Sequence, residues 1–494
     1  MDADVIIVGS GMGGATLAAA LASTGRRIMI LERGGHLRAS ASDRDAGAIF
    51  GDGAFRPDEA WLDGQDRSFN PGNYYYVGGN SKFYGAALIR YRASDFDAVP
   101  QSGGQTPGWP IGYSDLEADY QAAEEMYQVR GRQADDPTEP AHSGNYPHPP
   151  VPDEPDIAAL RERLKHAGLH PSHIPLGVDQ AAWLAAGLTT WDAYPNTCGG
   201  KMDAETCGLA AALAHENVTL HTGCIVERLE CNQRGFVTAA VLANGERLTA
   251  SRFVVAAGAV QSAALLLRSA NDNCPSGLAN RSDQVGRNFM NHNCSAVLAL
   301  HPMRKNKSIY QKTLMLNDFY RGSNTRPPLG NVQMLGKITG PILAATTPLP
   351  RWLAHWIAAR SFDFYAMSED LPNPGSRVTL KNGQIKLDWQ RSNWDVHLQL
   401  VQELKRVLRQ VGFPIVLSQP FDRRTPSHQC GTARMGNDPA LSVVDSHCRS
   451  HDHPNLFIVD ASVLPTSAAV NPALTIAALA LRAGRRMTQT EFAA

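Results

Sequence analysis

The sequence predicts an α/β fold, α+β overall, in which a parallel sheet is joined to a second, antiparallel sheet. Three observations predict it. The first thirty-odd residues read as a βαβ unit. A buried strand, a small-residue turn and a helix recur over 253–267, where the chain re-enters that sheet. Residues 296–420 carry alternating apolar positions and an Asn-Gly turn, the pattern of antiparallel strands with one covered face.

The opening unit runs from Asp4 to Arg33. An apolar run ends at Val8, and Gly9, Gly11 and Gly14 then fit G-x-G-x-x-G, with Met12 opening a helical stretch. Gly9 permits the tight turn, Gly11 lets the backbone approach a pyrophosphate, and Gly14 lets helix and strand pack closely. The phosphates would rest on the free N–H groups at the helix start. Glu32 closes the second strand, 21 residues past Gly11. That spacing suits a carboxylate on a ribose 2′-OH and repels a 2′-phosphate. The motif by itself does not separate FAD from NAD.

Composition bounds the rest. The 494 residues amount to roughly three domains' worth of chain. Hydrophobic content is 43 %, charged content 19 % and net charge −1, so no basic excess points to nucleic acid. The first strand begins about three residues after Met1, which leaves no room for a signal or transit peptide. No apolar run approaches the roughly 18 residues that span a bilayer. The expectation is a cytoplasmic protein without membrane insertion. The eight cysteines form no C-x-x-C pair, which excludes zinc-ribbon and four-cysteine iron–sulfur spacings and suggests reduced, mostly buried thiols. His447, Cys448, His451 and His453 are irregularly spaced before a Pro454-Asn455 turn, so a solvated loop is expected there and no metal site.

Residues 38–70 are polar and irregular and read as a functional loop or lid. In 73–86, Tyr74, Tyr75, Tyr76 and Phe83 stand against Gly78-Gly79. That pattern fits a backbone passing close to a flat ligand, and equally an aromatic core turn. After Trp109-Pro110 comes a helix carrying Leu116, Tyr120, Ala123 and Met126, with Ser114 as N-cap and Glu117 at the capping-box position. A linker or excursion over 132–153 precedes a helix at 156–167. Short strands fill 217–258, with Asn244-Gly245 as a type I′ hairpin signal. Between 296 and 420, Phe362, Phe364 and Ala366 alternate, as do Val378 with Leu380 and Ile385 with Leu387 around Asn382-Gly383. Trp352, Leu353, Trp356 and Ile357 form an amphipathic helix expected to pack on the core. Another helix spans Val396 to Val411. The C-terminal block begins at Ser427. His428 precedes a Gly-Thr turn, Leu456 to Asp460 is a buried strand ending in a carboxylate, and Asn471-Pro472 opens an apolar helix.

These blocks, in this order, resemble the glucose–methanol–choline (GMC) family of FAD-dependent oxidoreductases. The resemblance rests on the glycine turn, Val77-Gly78-Gly79-Asn80-Ser81, Trp109 to Leu116, Gly258 to Ser262, Val285 to His292, and the C-terminal block. It implies a Rossmann-like FAD-binding domain assembled from 1–95, 200–295 and 421–494. A substrate domain with lid segments would come from 96–199 and 296–420. By the same resemblance Val226 meets the adenine through its backbone, and Asp460 lies near the ribityl–pyrophosphate region. Gly79, Asn80, Tyr84 and Gly85 line the isoalloxazine, and Asn471 and Pro472 sit at the flavin ring. Met12, Arg33, Ser81, Ala86, Ala257, Gly258, Ala461 and Thr475 complete the expected cofactor contacts.

The implied chemistry is oxidation of an alcohol, with His428 as base and Asn471 orienting the hydroxyl. Phe83 stands where related sugar oxidases carry a flavin-linked histidine, so the FAD is expected to be noncovalent. Cys198, Lys201 to Thr206 and Ser368 to Pro372 resemble bacterial pyranose and glycoside oxidases. The expected substrate is therefore a sugar or glycoside hydroxyl, with oxygen or a quinone-type compound as electron acceptor. The competing expectations are a non-sugar alcohol as substrate, or a FAD-containing lyase of the hydroxynitrile lyase type.

Overall fold

The structure, a computed structural model, describes residues 1–187, 189–323, 326–422, 424–425 and 428–492. Ser427, where the C-terminal block begins, lies outside the described residues. In chain order, the elements that position the site are β1 (Ala3–Val8), α1 (Met12–Ala22), β2 (Ile28–Glu32), β3 (Val218–Thr222), β4 (Ala250–Val255) and α2 (Ala259–Arg268). There follow β5 (Asn293–Leu300), β6 (Leu314–Leu316), β7 (Asn331–Met334), β8 (Ser361–Ser368), α3 (Trp394–Gln410), β9 (Ile415–Pro420), β10 (Leu456–Ile458) and α4 (Ala473–Thr490).

The first sheet is parallel throughout, in the order β10-β4-β1-β2-β3. Its central strands are Val- and Ile-rich because helices or neighbouring chain cover both faces, and Val5, Ile6, Ile7, Phe253, Val254 and Val255 are buried. Val8 pairs with both Val255 and Leu31, and Val255 with Ile458. The turns after β1, β4 and β10 therefore emerge side by side at the carboxyl edge, where ligands bind in open parallel sheets.

The second sheet is antiparallel, in the order β9-β5-β8-β7-β6 and then the short strand Ser172–His173. One face packs on α3, whose Val396, Leu400, Leu404, Val407 and Leu408 meet Val297, Phe362, Phe364 and Ala366. On the other, Ala354 and Ile357 of the helix Arg351–Ala358 cover Ala296, Leu298 and Leu300 while Trp352 faces solvent. That amphipathic helix packs on the core, as its stripe predicts.

Several local expectations are corrected. The hairpin Arg377–Lys381/Gln384–Asp388 does not extend the antiparallel sheet. It forms a separate four-stranded sheet with Trp61–Asp63 and Ser68–Phe69, Lys386 pairing with Leu62. Residues 61–63 and 68–69 are thus strands within the stretch read as an irregular loop, paired with each other and joined to the sheet by a partner more than 300 positions away. Of the two Asn-Gly turns, Asn382 and Gly383 both have positive φ, as a type I′ turn requires. At 244–245 only Gly245 does, and the Leu242 N–H donates to Glu246 O instead, so that turn is not type I′. Ser114 does not cap the helix: Glu117–Met126 starts after Leu116, behind a 3-10 turn at Tyr113–Asp115 where the Gly112 N–H donates to Asp115 at 2.8 Å, and Glu117 pairs with Arg90. The Cys/His cluster is not solvated throughout. Cys448 and His453 are buried, His453 against Gly235 O at 2.7 Å, and His451 bonds Ser442.

Candidate active site

At the carboxyl edge the glycines divide their work by geometry. Gly9, at φ +103°, has Ala256 O where a Cβ would stand, at 2.4 Å, and Gly14 has Gly9 O at 2.0 Å. Gly13 abuts Val459 O, only 1.8 Å from where its Cβ would lie. A Cβ on Gly11 would meet nothing within 4 Å. Gly9, Gly13 and Gly14 are therefore required by packing, and Gly11 by whatever approaches α1. Gly11 is the N-cap and supplies no side chain to the free N–H groups, and Met12 is the first helical residue.

Glu32 is turned into this loop. Its Oε2 accepts from the Ser10 N–H at 3.0 Å and the Ser10 hydroxyl at 2.6 Å, and its Oε1 from the Gly34 N–H at 2.9 Å. Ser10 Oγ in turn accepts from the Gly78 N–H at 3.1 Å, which ties the second glycine pair to the first. Gly79, at φ +58°, faces Gly11. Arg33 stacks on Tyr75, and the turn leading to Val226 is anchored by the Cys224 N–H on Glu32 O at 2.9 Å. After β4, Gly258 has positive φ and open space at its Cβ, and its N–H donates to Asp460 Oδ2 at 2.9 Å. The Ala257 N–H donates to Ser262 Oγ, and Ala461 O accepts from the Gly431 N–H. Burial raises the Asp460 carboxyl above its ordinary range, with Ser262 opposing that shift.

Along 79–86 the side chains diverge. Asn80 is exposed and caps the Tyr74 N–H at 2.9 Å, whereas Ser81 is buried and donates to Gly78 O at 2.6 Å. The Tyr84 hydroxyl donates to Met202 O at 2.6 Å. Gly85 packs against the Asp192–Lys312 pair, and the buried Ala86 takes a left-handed conformation.

His428 and Asn471 are brought together from opposite ends of the C-terminal block. His428 Nε2 lies 3.2 Å from Asn471 Nδ2, and both side chains are half-buried. His428 has φ +66°, sparsely populated for a side-chain-bearing residue, and its Nδ1 lies 2.8 Å from His292 Nδ1. Burial, then His292 and Lys312, holds the His428 pKa well below the usual imidazole value. The ring is accordingly neutral at physiological pH, the form a base needs. Pro472 is the N-cap of α4, and Thr475, one turn in, is buried against the Tyr120 hydroxyl at 2.7 Å.

The chain matches two known families, described as GMC oxidoreductase over residues 377–480 and FAD dependent oxidoreductase over residues 4–285. The 6'''-hydroxyparomomycin C oxidase of Streptomyces lividus is 30% identical, over 98% of this chain and 90% of that protein. Paromamine 6'-oxidase of Streptomyces fradiae is 28% identical over the same shares. The chain belongs to the GMC oxidoreductase family. The fold of this GMC oxidoreductase also matches the crystal structure of pyridoxine 4-oxidase from Mesorbium loti, with a TM-score of 0.69 and 20% identity over 99% of both chains.

GMC oxidoreductases bind FAD and oxidise CH–OH groups, and the residues here fit that cofactor. Gly11 and Gly258 leave open ground where side chains would stand, Gly79 faces the first of them, and the uncapped start of α1 offers N–H donors to a pyrophosphate. Sequence reasoning missed His292, Gln333, Asn331 and Asn317, which all bond into the His428–Asn471 pair directly or in series. His292 lies inside a recognised motif, Val285 to His292, but nothing in the string placed it beside His428. The amides sit among ordinary strand residues and carry no local signal.

Proposed function

We propose that this GMC oxidoreductase oxidises a sugar or glycoside hydroxyl to the carbonyl, His428 taking the hydroxyl proton while Asn471 orients the same oxygen. The observation that carries this reading is the 3.2 Å approach of His428 Nε2 and Asn471 Nδ2, both half-buried. FAD, when bound, supplies the acceptor for the hydride that leaves carbon. The chain supplies the rest. A neutral imidazole takes the proton, and the adjacent amide holds the hydroxyl so that its C–H is presented in one direction. The Met290–Cys430 bridge beside His428 and the α4 start after Asn471 hold the two groups.

The substrate class is supported by relatives named for aminoglycoside and sugar oxidation, fructose dehydrogenase large subunit of Gluconobacter japonicus (26% identical) among them. The reading includes the ADP half of the cofactor on Gly9 to Arg33 and Val226. The pyrophosphate–ribityl region falls to Ala257, Gly258, Asp460 and Ala461, and the ring to 79–86 with Asn471, Pro472 and Thr475. It also includes the domain division 1–95, 200–295 and 421–494 against 96–199 and 296–420. The FAD is noncovalent in this reading, because Phe83 offers no nucleophile and is stacked on Tyr74 with ring centroids 3.8 Å apart. Oxygen or a quinone-type compound is the electron acceptor in this reading. Eight free cysteines support a cytoplasmic setting. Among the described residues no helix is long and apolar enough to cross a membrane.

The test is anaerobic bleaching of the flavin with paromamine, D-fructose, pyridoxine and 2-methyl-1,2-propanediol, followed by reoxidation with air or a quinone. Bleaching by the sugars, abolished in His428→Ala, supports the reading. Bleaching only by the non-sugar alcohols moves the substrate class. Turnover of a cyanohydrin with the flavin still oxidised would replace oxidation by a lyase reaction.

A further inference from the structure

We propose that His292 is a positioning residue that locks His428 in the tautomer carrying its proton on Nδ1 and its lone pair on Nε2. This rests on the reading of His428 as the base. It adds which nitrogen is the base and what makes it so.

The argument starts at a point where no choice exists. His292 Nε2 lies 2.8 Å from Ser467 O and 2.9 Å from Ala468 O, and carbonyls only accept. That nitrogen therefore carries a hydrogen. His292 is 2 % exposed, and its imidazole is pushed down to about 4, chiefly by burial, so the ring is neutral and Nδ1 holds a lone pair. The 2.8 Å contact between the two Nδ1 atoms is then a hydrogen bond only if His428 donates. With its proton on Nδ1, a neutral His428 has its lone pair on Nε2, the nitrogen that faces Asn471.

A second chain reaches the same nitrogen from the opposite side. Asp136 is paired with the Arg92 guanidinium, and a carboxylate only accepts. Asn317 must give it Nδ2, at 2.6 Å. Asn317 Oδ1 then accepts from Asn331 Nδ2 at 2.7 Å, and Asn331 Oδ1 from Gln333 Nε2 at 3.0 Å. Gln333 spends its second Nε2 hydrogen on Asn471 Oδ1 at 2.9 Å, and its Oε1 has no hydrogen-bond partner among the described residues. Asn471 is left presenting Nδ2, a donor, to His428 Nε2. A donor arriving at a lone pair is what the first chain requires. In the opposite tautomer two donors would meet at Nε2 and two lone pairs at Nδ1. The three amides that lead to Asn471 are buried, Asn317 at 2 %, Asn331 at 0 % and Gln333 at 1 % exposure, so water does not reset their direction.

The carbonyls at the root of the first chain are themselves fixed. Ser467 O also accepts from the Tyr91 hydroxyl at 2.9 Å, the Ala468 N–H donates to Glu369 at 3.1 Å, and the neighbouring Thr466 hydroxyl accepts from Trp109 Nε1 at 2.9 Å.

The test uses the FAD-loaded enzyme labelled with 15N-histidine, together with His292→Phe, which removes the acceptor, and His292→Asn, which returns an amide oxygen near the former Nδ1. In the wild type, His428, assigned through His428→Ala, is expected to show a protonated Nδ1 and an unprotonated Nε2. In His292→Phe the anaerobic flavin-reduction rate, measured with whichever panel alcohol bleaches the wild type fastest, is expected to fall on the order of 10²-fold, the scale on which a wrongly held catalytic imidazole fails. His292→Asn is expected to recover most of that loss with KM little changed. A wild-type spectrum with the proton on Nε2, or equal losses in Phe and Asn variants that both retain flavin, overturns the inference. If the Phe variant loses its flavin, the wild-type spectrum decides alone. Unchanged reduction in His428→Ala removes the base reading itself, a result separable from either of the others.

Discussion

The Glu369 carboxyl accepts a hydrogen bond from the Ala468 N–H at 3.1 Å, in the same short loop whose carbonyls hold His292. Burial, then the nearby Asp95, pushes this carboxyl up to about 8, so it is protonated at neutral pH. Its folded pKa lies above its unfolded value near 4.5. Its contribution to stability is therefore full below about 4.5 and is lost as pH rises through about 8. Above 6.5, the ordinary imidazole value at which the buried histidines have gained their full stabilisation, the thermal midpoint of the loaded enzyme should decline toward pH 8. Glu369→Gln, which keeps the acceptor and cannot ionise, should flatten the decline, as a pH series of melts would read out.

The acid side runs the other way. His428, the proposed base, is held well below the usual imidazole range, so its ring stays neutral under mildly acidic conditions. The anaerobic flavin-reduction rate should hold from neutral pH down through 6.5, the ordinary imidazole value, and fall only as pH drops through the lowered pKa. Stability should weaken over a related range. His292 and His397 are pushed down to about 4 and about 3, so their stabilisation is full above the unfolded value of 6.5 and is lost as pH falls below it. A rate that halves near pH 6.5 would contradict this account of His428.

Gly11 and Gly13, two residues apart, should respond oppositely to alanine. Gly11 has φ −69° and open space at its Cβ, so Gly11→Ala should leave the flavin-free melting curve nearly unchanged while lowering the flavin content. Gly13→Ala drives a methyl into Val459 O and should destabilise the protein by about 3 kcal/mol with or without flavin. Denaturant melts of the stripped proteins, set beside the flavin absorbance after purification, separate the two effects.

Lys82 closes the 78–82 turn by pairing with Asp203 at 3.0 Å and Glu205 at 2.7 Å, with its side chain 5% exposed. Lys82→Met leaves the buried Asp203 without its cation and should cost about 3–5 kcal/mol, measured by urea unfolding. Asp203→Asn in the same background should return part of that loss, because it removes the stranded charge.

The sequence displays what is local or repeated. β1, α1 and β2 are legible because apolar runs, glycines and the spacing to Glu32 lie within about thirty residues. α3 is legible from its period. The pairing of 384–388 with 61–63 is not, since neither strand carries a mark of the other. His428 and Asn471 were found through motifs, but their supporting groups were not. Asn317, Asn331 and Gln333 matter only through the direction each amide takes, and direction is a property of the assembled network.

The contact between Gly13 and Val459 has a consequence for synthesis. A chain leaving the ribosome makes β1, α1 and β2 first, yet the strand that flanks β4 and the carbonyl that seats Gly13 come from the last tenth of the sequence. Until then β4 has a bare edge and α1 lacks its packing against α4, a state open to mispairing. Asp460 and Asn471 arrive in the same late segment, and His428 shortly before it. In the proposed reading the nascent protein therefore completes its cofactor site and its active-site pair only in this closing step, and a message cut short before it leaves both unfinished.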